Sequence, residues 1–401
     1  MIRLIILDAP LTSVMQPFIG EAMISAILGY NDRSWAVRNS ATMVLSAAML
    51  RVIDADKNSS NSDSTSSNAI TITELFHRYP SLSPFLLASM RNCVTFESGM
   101  ASANSQIFPI LLLLSRIQRI AQSGELAIAL TESFLPVLLM CVGNKHHGIR
   151  AAAARALANI CSNVNDVATR CRLLLIENTR RERKDWNLID GLLLSLEALV
   201  MNFPSLANNP EGIESSLLDI VSVENSINYP PSCVATALRT LRHCDSNRPM
   251  HSKLMVSSAC QRITICSIFM NTIGGSELYA VAADSFIHYT QQRIWEAESR
   301  SSFESALQQL LVVFTSDIID VRLAAVKAFK KRIYANIDNL IGVVPNERNK
   351  IIIPRESRLS SVAKVMLQSL DFELVRNETL GAHNPTAVSY THLTLPTKRI
   401  V

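Results

Sequence analysis

The sequence predicts an all-α fold, an α-solenoid of stacked helical repeats, from three observations. Apolar positions recur at helical spacing along most of the chain, one such series returns three times in the same phase, and no stretch shows convincing strand alternation. Composition agrees: hydrophobic residues make up 48% of the 401 and charged residues 18%, below the roughly 25% of an average globular protein. Glycine occurs only 12 times. That argues against folds built on many tight turns or phosphate loops, which need backbone conformations that glycine adopts cheaply.

The first series is Val37, Ala41, Leu45 and Met49, an i, i+4 stripe along one side of a helix. Ile149, Ala153, Leu157 and Cys161 repeat it, as do Val321, Ala325, Phe329 and Ile333, and an arginine follows the first apolar residue each time: Arg38, Arg150, Arg322. A polar lead-in precedes each copy (Asn31-Asp32, Asn144, Asp317) and is expected to supply acceptors for the first-turn N–H groups. Trp35 is expected to pack at the start of its helix as a hydrophobic staple. The three arginines share one position, which suggests a ladder of repeat-to-repeat hydrogen bonds and ion pairs. Here the sequence resembles the second helix of a HEAT repeat, which places the chain among HEAT/armadillo-like helical repeats. The intervals between the three copies are not whole multiples of the roughly 40 to 47 residue HEAT period, so insertions or degenerate copies are expected between them.

A polar insertion lies at 54–70, where Asp54 to Asn68 read DADKNSSNSDSTSSN; low complexity of this kind predicts disorder. Thr71-Ile72-Thr73-Glu74 then fits a capping box, with a helix running to Tyr79 before Pro80, and Ser83-Pro84 suit the N-cap and first position of the next helix. Further helices are expected at Pro109–Ala121, Leu126–Val142, Asp166–Ile176, Trp186–Met201, Pro231–His243, Met255–Asn271, Glu277–Ser299 and Arg358–Leu370. The array is expected to occupy 1–383. The segment 384–401, NPTAVSYTHLTLPTKRIV, abandons the helical period and reads either as translated vector sequence or as a disordered C-terminus.

Lys plus Arg number 38 against 34 Asp plus Glu, too small an excess for a dedicated nucleic-acid binder, so any basic surface must be local. The eight cysteines, at 93, 141, 161, 171, 233, 244, 260 and 266, form no Cys-x-x-Cys pair and are expected to be reduced core thiols of an intracellular, cytoplasmic protein. The apolar run Leu4–Leu7 is too short for a signal peptide, and Ile107–Leu114 falls well short of the roughly 20 residues a membrane span needs. His146-His147 have no carboxylate or cysteine at ligand spacing and read as a solvated inter-helix turn. Glycine-rich nucleotide loops, a Gly-x-Ser-x-Gly elbow and a His-Glu-x-x-His pair are all missing. The sequence therefore predicts no catalytic residue, no metal and no cofactor.

Two basic clusters are candidates for contact with RNA or a partner. Arg180, Arg181, Arg183 and Lys184 flank Glu182 just before Asp185-Trp186, and Lys327, Lys330 and Lys331 fall on one helical side. Such groups can hold a phosphate backbone through charge, and they equally suit a solvated helix face or connector. Interleaved aromatics that could stack on bases are not evident.

Taken together, Trp35, Val37, Arg38 and Asn39 within Ser34–Ala41, the polar insertion, and Phe76, Tyr79 and Pro80 within Thr73–Leu82 resemble the thyroid adenoma-associated protein (THADA) family. The likeness is specific over roughly residues 15–100; beyond that it is a general one of HEAT-like helices. Family members are much longer, so the resemblance implies a piece from the middle to C-terminal part of one. The family's Arg-Arg-Ser-Ala-Gly-Leu-Pro motif, expected upstream of Trp35, is absent. The implied function is that of a non-catalytic accessory subunit for a tRNA 2′-O-ribose methyltransferase acting on nucleotide 32 of the anticodon loop. It further implies that the methyl donor, S-adenosylmethionine, binds the partner and that tRNA is a possible second contact; the lack of a long apolar run separately predicts no membrane contact. The reading from another class is a general HEAT scaffold for transport or signalling complexes without RNA contact.

Overall fold

The computed structural model describes residues 2–8, 10–54, 70–95, 106–119, 124–208, 212–222, 225–244, 250–295 and 300–329. Nearly all of the polar insertion, the helix expected at Arg358–Leu370 and the segment 384–401 lie outside these. The described residues form helices α1 (Ile2–Leu7), α2 (Thr12–Met15), α3 (Ile19–Gly29), α4 (Trp35–Asp54), α5 (Ile72–Arg78), α6 (Leu82–Thr95), α7 (Ile107–Arg116), α8 (Glu125–Val142) and α9 (His147–Ile160). They continue with α10 (Val164–Arg180), α11 (Trp186–Asn202), α12 (Pro204–Asn208), α13 (Ile213–Val221), α14 (Pro231–His243), α15 (Met250–Ile265), α16 (Gly275–Trp295), α17 (Arg300–Phe314) and α18 (Ile319–Phe329). No strand occurs among the described residues; one isolated bridge joins Thr71 to Gln118. The fold is an all-α solenoid of helical repeats.

Two compact units emerge, Met1–Ile220 with Arg239–Arg248, and Val221–Leu238 with Pro249–Val401. In the first unit α9 is the central helix, packed against α7, α8 and α11. Its sequence explains that position. Ala152, Ala153, Ala154, Ala156 and Ala158 are all buried, and such short side chains leave room for close approach by three neighbours. Larger residues on the neighbours fill the space between: Ile110, Leu113 and Leu114 from α7, Phe134 and Leu138 from α8, Leu192, Leu193 and Leu196 from α11. Each such side chain taken fully out of water contributes about 1.5–3 kcal/mol. Thr131 on α8 ties the end of α9 in place, its hydroxyl accepting from Ser162 N at 3.1 Å and lying 2.8 Å from the Ile160 carbonyl.

Helix α8 is, among the described residues, the one helix long and apolar enough to cross a membrane by length and composition. Here it is a core helix: Ala127, Leu130, Phe134, Val137 and Cys141 are buried, while Glu132 faces solvent.

The start points of α7, α9 and α11, at Ile107, His147 and Trp186, fall about 40 residues apart, the spacing of a HEAT-like repeat. Helix α11 is therefore a degenerate copy lying between the series at Ile149 and Val321, of the kind the uneven intervals require.

In the second unit α16 is central, packed against α15, α17 and α18. Leu278, Tyr279, Ala282, Ala283, Phe286 and Ile287 form its buried side. Tyr279 donates its hydroxyl to the Cys266 carbonyl at 2.6 Å and meets Phe269 edge-on at 6.3 Å. Gly274 takes φ +83°, and a Cβ on Gly275 would lie 2.0 Å from the Phe269 carbonyl oxygen, so both positions need glycine.

Most expected helices are present, with shifts at their ends. The Thr71 half of the expected capping box forms, its Oγ1 accepting from Glu74 N at 3.3 Å, while the Glu74 carboxylate pairs with Arg78 one turn on. Helix α6 begins at Leu82, ahead of the expected Ser83-Pro84 cap, so Pro84 sits inside the first turn, where its missing N–H costs nothing. Helix α7 stops at Arg116 rather than Ala121, and the helix expected at Met255–Asn271 is α15 followed by a separate 3-10 turn at Ser267–Phe269.

Candidate nucleic-acid interface

The three arginines of the repeated series do one local job in common. Arg38 Nη1 donates to the Asp32 carbonyl at 2.8 Å, Arg150 Nη1 to the Asn144 carbonyl at 2.9 Å and Arg322 Nη1 to the Ser316 carbonyl at 2.6 Å. In each case the acceptor stands six residues earlier in the chain. The same residue's side chain accepts a backbone N–H two residues on: Ser34 N to Asp32, His146 N to Asn144, Ile318 N to Ser316. These lead-ins thus shape the connector before the helix rather than capping its first turn, and the third uses Ser316 in place of the expected Asp317.

The expected ladder holds for Arg150 and not for Arg38. Among the described residues Arg38 reaches the Asp32 and Arg33 carbonyls of its own connector and no group of another helix. Arg150 crosses from α9 to α11, where its Nε lies 2.9 Å and its Nη2 2.7 Å from Asp190 Oδ2, while Nη1 also reaches Asn187 Oδ1 at 3.1 Å. His147 Nδ1 lies 3.3 Å from the same carboxylate oxygen. The sequence offered His147 no carboxylate because Asp190 arrives from the next repeat. Asp190 Oδ1 is buried and has no hydrogen-bond partner among the described residues.

The residues carrying the family resemblance divide into two groups. Phe76 and Tyr79 are structural: Phe76 stacks on Phe134 at 5.9 Å, and the buried Tyr79 accepts from Gln16 Nε2 at 3.0 Å. Burial pushes the Tyr79 hydroxyl pKa up, with Arg78 opposing. Trp35, Val37, Asn39 and Pro80 are exposed. Trp35 is 70% exposed, so it is no staple. The buried stripe of α4 begins only at Ala41 and runs through Leu45, Ala48 and Val52, leaving the first turn outside the packing.

Arg180 ends α10; Arg181, Arg183 and Lys184 occupy the connector to α11, all four at or near the surface. Arg181 pairs with Glu177 one turn back. Asp185 caps α11, accepting from Asn187 N at 3.0 Å and Leu188 N at 3.2 Å. Lys184 places its ammonium 5.5 Å from the centre of the Trp186 ring. An exposed aromatic therefore does stand within this basic cluster, contrary to the expectation that no interleaved aromatic is evident there. In the second cluster Lys327 is an exposed residue of α18; Lys330 and Lys331 lie outside the described residues.

The fold brings a second connector beside the first. The Lys145 carbonyl and Asn187 Oδ1 accept from the same Arg150 nitrogen, at 3.0 and 3.1 Å. The turn before α9, with exposed Lys145, His146 and His147, thus borders the turn before α11. On the other flank Gly148 faces Phe108 of α7, which is exposed. No group of three His, Cys, Asp or Glu side chains able to hold a metal occurs among the described residues. The eight cysteines are buried except Cys266, which is half-buried.

Comparison with known proteins follows this geometry. Residues 38–199, the span from α4 to α11, match the family model "Trm732, C-terminal TPR repeats". The chain is similar to the tRNA (32-2'-O)-methyltransferase regulator THADA of Canis lupus familiaris, 29% identical over 207 residues, which is 50% of this chain and 10% of that protein. It is also similar to the human protein of that name, 30% identical over 159 residues, 39% of this chain and 8% of the relative. The tRNA (32-2'-O)-methyltransferase regulator trm732 of Schizosaccharomyces pombe is 22% identical over 157 residues, 39% of this chain and 10% of its own length. The matches thus span about a tenth of the length of these relatives. Among solved structures, an engineered protein covers 88% of this chain at 12% identity with a TM-score of 0.30, too low to carry an argument.

Proposed function

We propose that this chain, a member of the THADA family, is part of a non-catalytic regulator that assists an S-adenosylmethionine-dependent methyltransferase in 2′-O-methylation of nucleotide 32 in the tRNA anticodon loop. The observation that carries the reading is the match of residues 38–199 to the Trm732 repeat model, together with relatives named as regulators of that reaction. In this reading the methyl donor and the chemistry belong to the partner enzyme, in the cytoplasm, and this chain contributes surface.

The physical role is positioning. An array of stacked helices offers a continuous surface to two partners at once, and holding an RNA loop against an active site converts an encounter into a nearly unimolecular step. The connectors before α9 and α11 lie inside the matched span and carry exposed positive charge at Lys145, Arg181 and Arg183.

The test uses the full-length parent protein. Co-purification should recover a tRNA 2′-O-methyltransferase, and loss of the parent gene should remove the methyl group from nucleotide 32, read by mass spectrometry of tRNA fragments. Retained methylation with no enzyme recovered would leave the general scaffold as the better account.

A further inference from the structure

We propose that the edge formed by the connectors before α9 and α11 is a contact strip for unpaired RNA, with phosphates held by Lys145 and Arg183 and a base stacked on Trp186. This deepens the regulatory reading above and rests on it for the identity of the RNA, though not for the binding itself.

Three observations point to single-stranded RNA. The first is charge that is not internally satisfied. Lys145, Arg180 and Arg183 are exposed, and their side chains make no ion pair or hydrogen bond among the described residues. Nearby acids are Glu177, Glu182 and Asp185; Glu177 is paired with Arg181 and Asp185 is engaged at the start of α11. The buried Asp190 is spent on Arg150 and so does not repel phosphate. Lys145 lies in the turn that the Arg150 guanidinium ties to the first turn of α11, and Arg183 lies in the connector leading into that helix.

The second is the aromatic. Trp186 is 38% exposed with a lysine ammonium over its ring. A phosphate drawing Lys184 off the indole would open that face to a base, so charge contact and stacking reinforce each other. A duplex keeps its bases stacked on one another and could use only the charges.

The third is dimension. Helices α7, α9 and α11 pack in succession, and three helix ends at the usual 8–10 Å separation span roughly 20 Å. Phe108 closes one end and Trp186 the other, with His146 and His147 between them. That length suits a few unpaired nucleotides, as in a hairpin loop.

The experiment measures anisotropy of a fluorescein-labelled oligouridine and of a duplex RNA of equal length with the purified chain across a salt series. The chain should prefer the single strand. K145A/R183A should weaken binding about tenfold and flatten the salt dependence, because each lost single-strand phosphate contact removes roughly 0.7 from the log–log slope. W186A should weaken single-strand binding about tenfold with the slope unchanged, and W186F should restore most of it. Circular dichroism confirms folding of each variant; where W186A fails to fold, W186F and K145A/R183A still decide.

No binding by the unaltered chain at low salt, equal affinity for the duplex, or unchanged affinity in the variants would overturn the strip. So would variants that lose capture of the methyltransferase by the full-length parent while binding RNA normally, which would assign the edge to a protein. Methylation of nucleotide 32 that persists without the parent would defeat the regulatory reading and leave the strip standing.

Discussion

Arg150 Nη2 lies 2.7 Å from Asp190 Oδ2, an ion pair made between two helices of successive repeats with both side chains at most 10% exposed. Removing one partner leaves a buried charge uncompensated. Arg150→Ala or Asp190→Ala should therefore destabilise the chain by about 3–5 kcal/mol, read as a lower urea midpoint. Replacing both by apolar residues of similar size, R150M/D190L, should cost less than either single change. A double variant as unstable as the sum of the singles would show that the pair is not a unit.

Gly191 gives a second prediction, argued from backbone contact. A Cβ there would stand 1.9 Å from the Val142 carbonyl oxygen, so α8 and α11 touch main chain to main chain. Gly191→Ala should cost about 3 kcal/mol or more, since helix axes must separate to admit it. Gly124→Ala is the control, because nothing lies within 4 Å of its added methyl. Equal melting temperatures for the two would contradict the packing.

Cys161 and Cys171 are pushed up from 9.0 to about 12, chiefly by burial, with Asp166 adding to the first and Cys161 to the second. Their folded pKa values lie above the unfolded ones, so the stabilising difference is fully present below pH 9 and is lost as pH rises toward 12. The urea midpoint should fall across that window, and C161A/C171A should flatten the fall. In native protein at pH 8, iodoacetamide should modify the half-buried Cys266 before either of them.

Trp35 and Phe76 both carry the family resemblance and should behave oppositely. Trp35→Ala removes an exposed ring and should leave the midpoint within about 0.5 kcal/mol. Phe76→Ala empties a position stacked against Phe134 and should cost about 3–5 kcal/mol. A large loss from Trp35→Ala would mean that the first turn of α4 is packed after all.

What the sequence disclosed was local. The phase shared by Arg38, Arg150 and Arg322 was legible because the task they share, reaching the carbonyl six residues back, is written within one turn and the start of one helix. Asp190 was not legible: it meets Arg150 and His147 from the next repeat, and α11 carries no arginine at the matching place to reveal itself as a copy. The basic residues at 180–184 were visible as a run, yet their neighbourhood was not. Lys145 joins them only because α9 and α11 lie side by side. Trp186 was legible as the start of a helix, but not as an aromatic lying beside Lys184 at the exposed edge.

The arginine that reaches back in three connectors also bears on the scarcity of glycine. Turns are commonly closed by main-chain conformations that few residues tolerate. Here a guanidinium grips carbonyl oxygens at Asp32, Asn144 and Ser316, and every amino acid has a carbonyl oxygen. The turn is fastened from outside, by a side chain on the helix that follows. Beyond the short polar residue that opens each turn, the residues within it can then differ from copy to copy without loosening the join, and such joints can be specialised for binding one at a time.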